Sequence, residues 1–185
     1  MNVGPPPATD RRPVRRLLDL VHRTFRVQHR LVYWFDLSEE PRSSAPGMPL
    51  SFAWRPPDPD GDEEFLGESE GRRVYSMRVS TDATSIRRLV ACATVASAPA
   101  FLYDCATAAD ARGKGIYPAA LAHALRDLKA RGARAAYIRV HRANTPSIRG
   151  IEKAGFSPLG EVIHLTVFGR SLRPFSWRRA RERSR

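Results

Sequence analysis

Apolar and polar positions change period along this chain, and each change marks an element. Apolar residues recur at Val14, Leu17, Leu18, Val21 and Phe25, while Arg15, Arg16, Arg23 and Arg26 take the other face. This spacing predicts an amphipathic helix over residues 14–28. Leu31 to Leu37 is aromatic and β-branched and reads as a strand. Six prolines then fall between Pro41 and Pro59, interleaved with and followed by Asp58, Asp60, Asp62, Glu63 and Glu64. That density predicts an irregular loop over 41–64 with no regular element, either disordered or lying over a binding site. From Arg72 the alternation is regular. Strands are predicted at Val74–Ser80, Leu89–Ala96 and Phe101–Thr107, the last with Phe101, Tyr103, Cys105 and Thr107 on one face and Leu102, Asp104 and Ala106 on the other. Their short connections predict an antiparallel meander.

The second half of the chain returns to helical spacing. After Arg112-Gly113-Lys114-Gly115, a helix is predicted from about Pro118 to Arg131, with Pro118 in its first turn and Leu121, Leu125 and Leu128 as the buried stripe. Gly132 stops it. Ala135–Val140 reads as a strand, Thr145-Pro146 as a hydroxyl-capped helix start ending at Gly155, and Val162–Phe168 as a final strand. The order predicts an α/β fold with a mixed, mostly antiparallel central sheet and flanking helices. The expected organisation is a disordered basic tail over 1–13, one domain over 14–170, and a basic C-terminal tail over 171–185.

Composition narrows the setting. The 185 residues are 42% hydrophobic and 27% charged, ordinary for one globular domain, and no apolar run approaches a membrane span. Two cysteines, Cys92 and Cys105, are too few for a disulfide framework. With no apolar leader at the N-terminus, the expected location is the cytoplasm. The net charge of +12 is unevenly placed: residues 1–30 carry +5, residues 170–185 carry +6, and the stretch between them +1. The excess reads either as a polyanion contact through the two ends or as a coding bias toward arginine, which outnumbers lysine 28 to 3. Phe175 and Trp177 among the C-terminal arginines fit a polyanion or membrane contact, or a docked terminal segment. His22, His29, His123 and His164 are scattered without metal-ligand spacing, so no metal is expected.

The strand, glycine turn and helix start over residues 101–120 carry the chemistry. A helix N-terminus offers unpaired N–H groups and positive potential, which suits phosphate. Gly113 and Gly115 permit close backbone approach, and Arg112 and Lys114 add cations. A Walker loop is excluded because one residue, not four, separates the glycines; a dinucleotide fingerprint is excluded by Pro118 at its third glycine. On residues alone the turn is either a phosphate cradle or a plain strand-to-helix connection.

Asp110-Ala111-Arg112-Gly113-Lys114-Gly115-Ile116-Tyr117 resembles the acetyl-CoA pyrophosphate loop of the GNAT superfamily of N-acetyltransferases, with the pattern Arg/Gln-x-x-Gly-x-Gly/Ala. Arg112 and Gly115 match, and Tyr117 stands where the pattern has Gly or Ala. Asn144-Thr145-Pro146-Ser147 followed by Glu152-Lys153-Ala154-Gly155-Phe156 resembles the family's Asn-x-x-Ala/Ser and Glu-Lys-x-Gly-Phe segment. The resemblance covers residues 72–170. The first 70 residues depart from it, through the predicted leading helix and the Pro/Asp-rich loop.

The resemblance implies that the strand before the glycine turn splays from Ala135–Val140. The pantetheine arm of acetyl-CoA would then bond the backbone at Cys105, Ala106 and Thr107. Pyrophosphate would sit on the N–H groups of Gly113, Lys114, Gly115, Ile116 and Tyr117 beside Arg112, with Asn144 and Ser147 near the thioester end. It implies direct attack by a neutral amine, with a backbone N–H near Cys105 or Ala106 stabilising the oxyanion. The family often places a tyrosine as acid just before the Glu-Lys pair; here that position is Ile151, leaving Tyr117, His141 or water. Asp104 is the candidate base, or else the partner of a nearby arginine. Cys105 has no base placed beside it by sequence, which argues against a covalent role. Arg-Gly-Lys-Gly-Ile-Tyr-Pro also resembles a subgroup from amino-sugar pathways, so a small amine such as an amino sugar is the expected acceptor. Macromolecular amines recruited by the basic ends, or acyl-CoA binding without catalysis, are the alternatives.

Overall fold

The computed structural model describes residues 25–42, 45–90, 95–167, 170–171 and 177–179. Strands β1 (Phe25–Asp36), β2 (Ser51–Arg55), β3 (Glu63–Ser69) and β4 (Arg72–Ser80) precede helix α1 (Ala83–Val90). Then come β5 (Pro99–Thr107), a single 3-10 turn at Ala109–Ala111, α2 (Ile116–Ala130), β6 (Ala135–His141), α3 (Thr145–Lys153) and β7 (Ser157–Val167). The short strands β8 (Arg170–Ser171) and β9 (Trp177–Arg179) both pair with β7. One sheet runs β2-β3-β4-β5-β6-β1-β7-β8, antiparallel everywhere except between β5 and β6. The first described strand is therefore central, held between β6 and β7.

Each face of the sheet buries its own cluster. On one face Tyr33, Phe35, Phe65, Tyr75, Met77, Leu102 and Ile138 meet α2 and α3 through Leu121, Leu125, Leu128 and Ile151. The expected leucine stripe of α2 is buried, and Pro118 falls in its first turn, where a missing N–H costs no helical bond. On the opposite face Val32, Phe101, Tyr137 and Val162 meet Ile86 and Val90 of α1. The mixed, mostly antiparallel sheet with flanking helices is as the sequence predicts.

Four local expectations are corrected. Residues 25–28 are strand, paired with β7 from Phe25↔Val167 onward, because ladder pairing overrides the helical spacing; residues 14–24 of the predicted helix lie outside the described residues. The Pro-rich stretch holds β2, since residues 51–55 between Pro49 and Pro56 are themselves free of proline and pair with β3 as an edge strand. The strand expected at Leu89–Ala96 begins instead as the end of α1; residues 91–94 lie outside the described residues. Asp82 starts that helix by accepting the N–H groups of Thr84 (3.2 Å) and Ser85 (2.9 Å), and Ile86 and Val90 then face the sheet at helical spacing. The antiparallel meander exists, but it is β2 through β5 with α1 inserted.

Strand β2 is fastened to α2 by Trp54 and by Phe52, whose ring lies 4.6 Å from that of His123. Trp54 Nε1 donates to Asp127 Oδ2 at 2.7 Å, its ring meets Phe65 edge-on at 4.9 Å, and the Arg131 guanidinium lies 4.1 Å above it. Trp54→Ala is expected to cost about 2–3 kcal/mol, below a fully buried tryptophan because the ring is half-exposed, and to lower the melting temperature by roughly 5–10 °C. Scanning calorimetry of the variant checks this, and an unchanged transition would show the contact to be idle.

Candidate active site

The parallel pairing of β5 and β6 stops at Leu102↔Ile138, after four residue pairs. Beyond it the strands part, and the splay expected from the resemblance is present. A bulge shapes the β5 side: Ser76 faces Ala106 and Arg78 faces Tyr103, so Asp104 and Cys105 together oppose Met77. Asp104 takes φ +48°, a left-handed conformation that aspartate tolerates better than most residues. The bulge shifts the parity of the strand. Tyr103 packs on the α1 face and Cys105 on the α2 face, so the alternation predicted across Phe101–Thr107 breaks at Asp104.

A cleft of about 620 Å³ opens on the α2–α3 side of the splay. Its β5 wall is Cys105, Ala106 and Thr107; its floor is Arg112, Gly113, Gly115, Ile116 and Tyr117; its far wall is Asn144, Ser147, Arg149, Gly150 and Lys153. Gly113 and Gly115 adopt φ of +78° and +72°, and Gly115 caps α2, turning the first-turn N–H groups of that helix toward the opening. Arg112 Nε donates to the Thr107 carbonyl at 3.2 Å, which ties the turn to the end of β5. Outside the turn, Gly47 N donates to the Lys114 carbonyl at 2.8 Å and Arg42 N to the Ala154 carbonyl at 3.2 Å. The loop between β1 and β2 thus braces the glycine turn and the end of α3, and none of its described residues lines the cleft.

The far wall depends on one glycine. A Cβ at Gly150 would stand 2.4 Å from Tyr117 Cδ1, so α3 approaches α2 this closely only because residue 150 lacks a side chain. Asn144 Oδ1 accepts the Ser147 N–H at 3.2 Å and caps α3; the cap expected from Thr145 is supplied one residue earlier. Ile151, in the position where the family often has tyrosine, is fully buried in the core.

Tyr75, Cys105, Tyr117 and Ser147 form a polar group at the inner end of the cleft. Burial, with smaller contributions from neighbouring groups, raises the phenols of Tyr75 and Tyr117 well above the ordinary tyrosine value. Burial likewise pushes the Cys105 thiol up to about 11. All three are neutral at pH 7, which makes Tyr117 able to give a proton and Cys105 a poor nucleophile. In a Cys92→Ser background, alkylation of the folded protein at pH 8 is expected to be many-fold slower than after denaturation. Because the folded thiol titrates higher, its contribution to stability is full below pH 9 and is lost as pH rises toward 11. Fast alkylation of the folded chain would refute this assignment.

Of the predicted site residues, Cys105, Ala106, Thr107, Arg112, Gly113, Gly115, Ile116, Tyr117, Asn144 and Ser147 line the cleft. Lys114 does not; its side chain is exposed beside Asp110 and its carbonyl holds Gly47. Asp104 is exposed at the bulge, outside the cleft lining, where its charge acts on Arg78 and Tyr103. His141 is exposed at the end of β6 and accepts the Ala143 N–H at Nδ1 (3.2 Å), a turn contact away from the lining. Sequence reasoning missed Arg149 and Lys153. Their signal was the step of three or four residues from Pro146, which puts 149, 150 and 153 on the helix face that carries Ser147 to the cleft.

The model of the Acetyltransferase (GNAT) family matches residues 30–156. Among solved structures, a GCN5-related N-acetyltransferase from Kribbella flavida superposes with a TM-score of 0.56 at 14% identity, over 83% of this chain and 64% of that one. A GNAT-family acetyltransferase from Novosphingobium aromaticivorans gives 0.55 at 16% identity, over 77% and 66%. A GCN5-related N-acetyltransferase from Sphaerobacter thermophilus gives 0.52 at 15%, over 86% and 57%. This chain therefore spans less than two thirds of each of these proteins, and at such identities the likeness is one of fold. Among curated proteins no sequence matches.

Proposed function

We infer from its membership of the GNAT family of acetyltransferases, to which this chain belongs, that it moves an acetyl group from acetyl-CoA to a primary amine by direct attack. The observation that carries the reading is the cleft itself. It joins a glycine-capped helix N-terminus and the cations Arg112, Arg149 and Lys153 to a strand splay whose wall is Cys105, Ala106 and Thr107. The first part fits a pyrophosphate and the second a thin, uncharged arm, so the residues present suit acetyl-CoA. Gly113, Gly115, Ile116 and Tyr117 would hold the phosphates with Arg112; Cys105 to Thr107 would bond the arm; Asn144 and Ser147 would flank its reactive end.

The chemistry asks little beyond placement. The amine lone pair bonds the acyl carbon, the carbon–sulfur bond breaks with its electrons on sulfur, the nitrogen gives up a proton and the thiolate gains one. We assign proton acceptance to Asp104, exposed at the bulge, and proton donation to Tyr117, neutral and lining the cleft. His141 is the weaker candidate for acid because its nitrogen is engaged in a turn. A backbone N–H freed from the ladder at Cys105 or Ala106 would stabilise the developing oxyanion. The acceptor in this reading is a small amine, amino sugars among them.

The test is a panel of amines assayed for release of free coenzyme thiol, beside thermal stabilisation by acetyl-CoA alone. Stabilisation together with turnover of a small amine is expected; no stabilisation by acetyl-CoA would overturn the cofactor assignment. No helix among the described residues is long and apolar enough to cross a membrane.

A further inference from the structure

The cations of the cleft outnumber what a diphosphate asks for. Arg112, Arg149 and Lys153 line it and no carboxylate does, so its lining carries +3. Arg112 stands at the glycine turn with its Nε on the Thr107 carbonyl, beside the N–H groups of α2 that suit a diphosphate. The bridging diphosphate of coenzyme A carries two negative charges, and Arg112 with the positive end of α2, worth roughly half a charge, answers most of them. Arg149 and Lys153 are left over.

Both belong to one face of α3. A step of four residues brings them alongside, about 5–6 Å apart at Cβ, where two like charges weaken a helix. The acid next to them in sequence gives no relief, because Glu152 accepts the Tyr33 hydroxyl at 3.1 Å, on the sheet side of α3. Among the described residues neither cation has an ion-pair or hydrogen-bond partner, and both are exposed. Gly150, which lies between them in sequence, is where α3 touches Tyr117 in the first turn of α2. The pair therefore flanks the glycine-capped helix start. It is also remote from the reactive end of the cleft. Asn144 caps the start of α3 and Lys153 ends it, so roughly 13 Å of helix separates the two.

We propose that Arg149 and Lys153 hold a third phosphoryl group, the ribose 3′-phosphate of the donor, and so make this chain select coenzyme A over its dephosphorylated form. A phosphate monoester carries about −1.5 to −2 at neutral pH, which matches the two unpaired cations. The proposal deepens the acetyltransferase reading and rests on its cofactor assignment. It accounts for two features that a diphosphate alone leaves without a use: an unrelieved pair of like charges on one helix face, and their position at the opposite end of α3 from Asn144. The donor is thereby chosen by its nucleotide end, away from the thioester.

Titration calorimetry of the full chain with coenzyme A and with dephospho-coenzyme A tests this without any acyl transfer in the readout. Coenzyme A is expected to bind about 5- to 30-fold more tightly, the range for two exposed charge pairs, and the preference should shrink as salt is added. In Arg149→Gln/Lys153→Gln the ratio should fall toward one through coenzyme A alone, with dephospho-coenzyme A bound as by the wild type. Arg149→Lys/Lys153→Arg keeps both charges and should keep most of the preference. Equal affinities in the wild type, an unchanged ratio in the double glutamine variant, or equal weakening of both ligands there would overturn the proposal and leave the cofactor assignment standing. Binding of neither ligand to the wild type would overturn the cofactor assignment, and this proposal with it.

Discussion

Gly115→Glu is expected to abolish the thermal stabilisation given by acetyl-CoA and to lower kcat/KM by about 10²–10⁴, the equivalent of two charge-assisted hydrogen bonds. Two effects combine at this position. Any side chain at φ +72° is strained by about 1–2 kcal/mol, and its Cβ would lie 3.7 Å from the Ala45 carbonyl and 3.8 Å from Pro46 Cα. A carboxylate there also sets a negative charge among the N–H groups that we propose hold the phosphates. Gly115→Ala separates the two, since it keeps the strain without the charge and should retain most of the stabilisation. A folded Gly115→Glu protein that acetyl-CoA still stabilises as it does the wild type would place the phosphates elsewhere.

Gly150→Ala is expected to destabilise the fold by roughly 1–3 kcal/mol and to depress turnover, because its methyl must displace the buried Tyr117 ring. The coupling is specific. Tyr117→Ala removes the obstacle, so the double variant should be more stable than additivity predicts, whereas Tyr117→Phe keeps the ring and should give no relief. A double-mutant cycle in urea measures this. Strict additivity with Tyr117→Ala would mean that the helices separate instead, and that Gly150 does not set their approach.

What was legible in the chain follows from what each signal depends on. The glycine turn is a local device, a left-handed cap, and it read correctly because neighbouring residues define it; the start of α3 also read correctly, with its cap assigned one residue late, to Thr145 instead of Asn144. The stripe Leu121, Leu125 and Leu128 read correctly for the same reason. Strand β2 was hidden because Pro49 and Pro56 bound it closely and its partner β3 is needed to hold it. Helix α1 was misread because Leu89 and Val90 suit either period, although Asp82 ahead of Thr84 and Ser85 carried a capping signal. The site was legible on its β5 and α2 walls and incomplete on α3. Arg149 and Lys153 share by spacing the face of α3 that carries Pro146, but that this face meets the cleft depends on how α3 seats against Tyr117 at Gly150. The placement of Asp104 likewise depends on a bulge that alternation cannot show.

The central position of β1 bears on how this chain can be made. Its ladder partners lie about a hundred residues later or more, from Ala135 to His141 on one side and Ser157 to Val167 on the other. A ribosome therefore releases the first described strand long before either neighbour exists, and β1 must wait unpaired while β2 to β5 can close on one another. Such distant pairing slows folding and prolongs the exposure of a long apolar strand. Chains stalled during synthesis before residue 135 are thus expected to protect β3 and β4 from proteolysis while β1 stays open to cleavage, and the sheet becomes one body only when its beginning and its end meet.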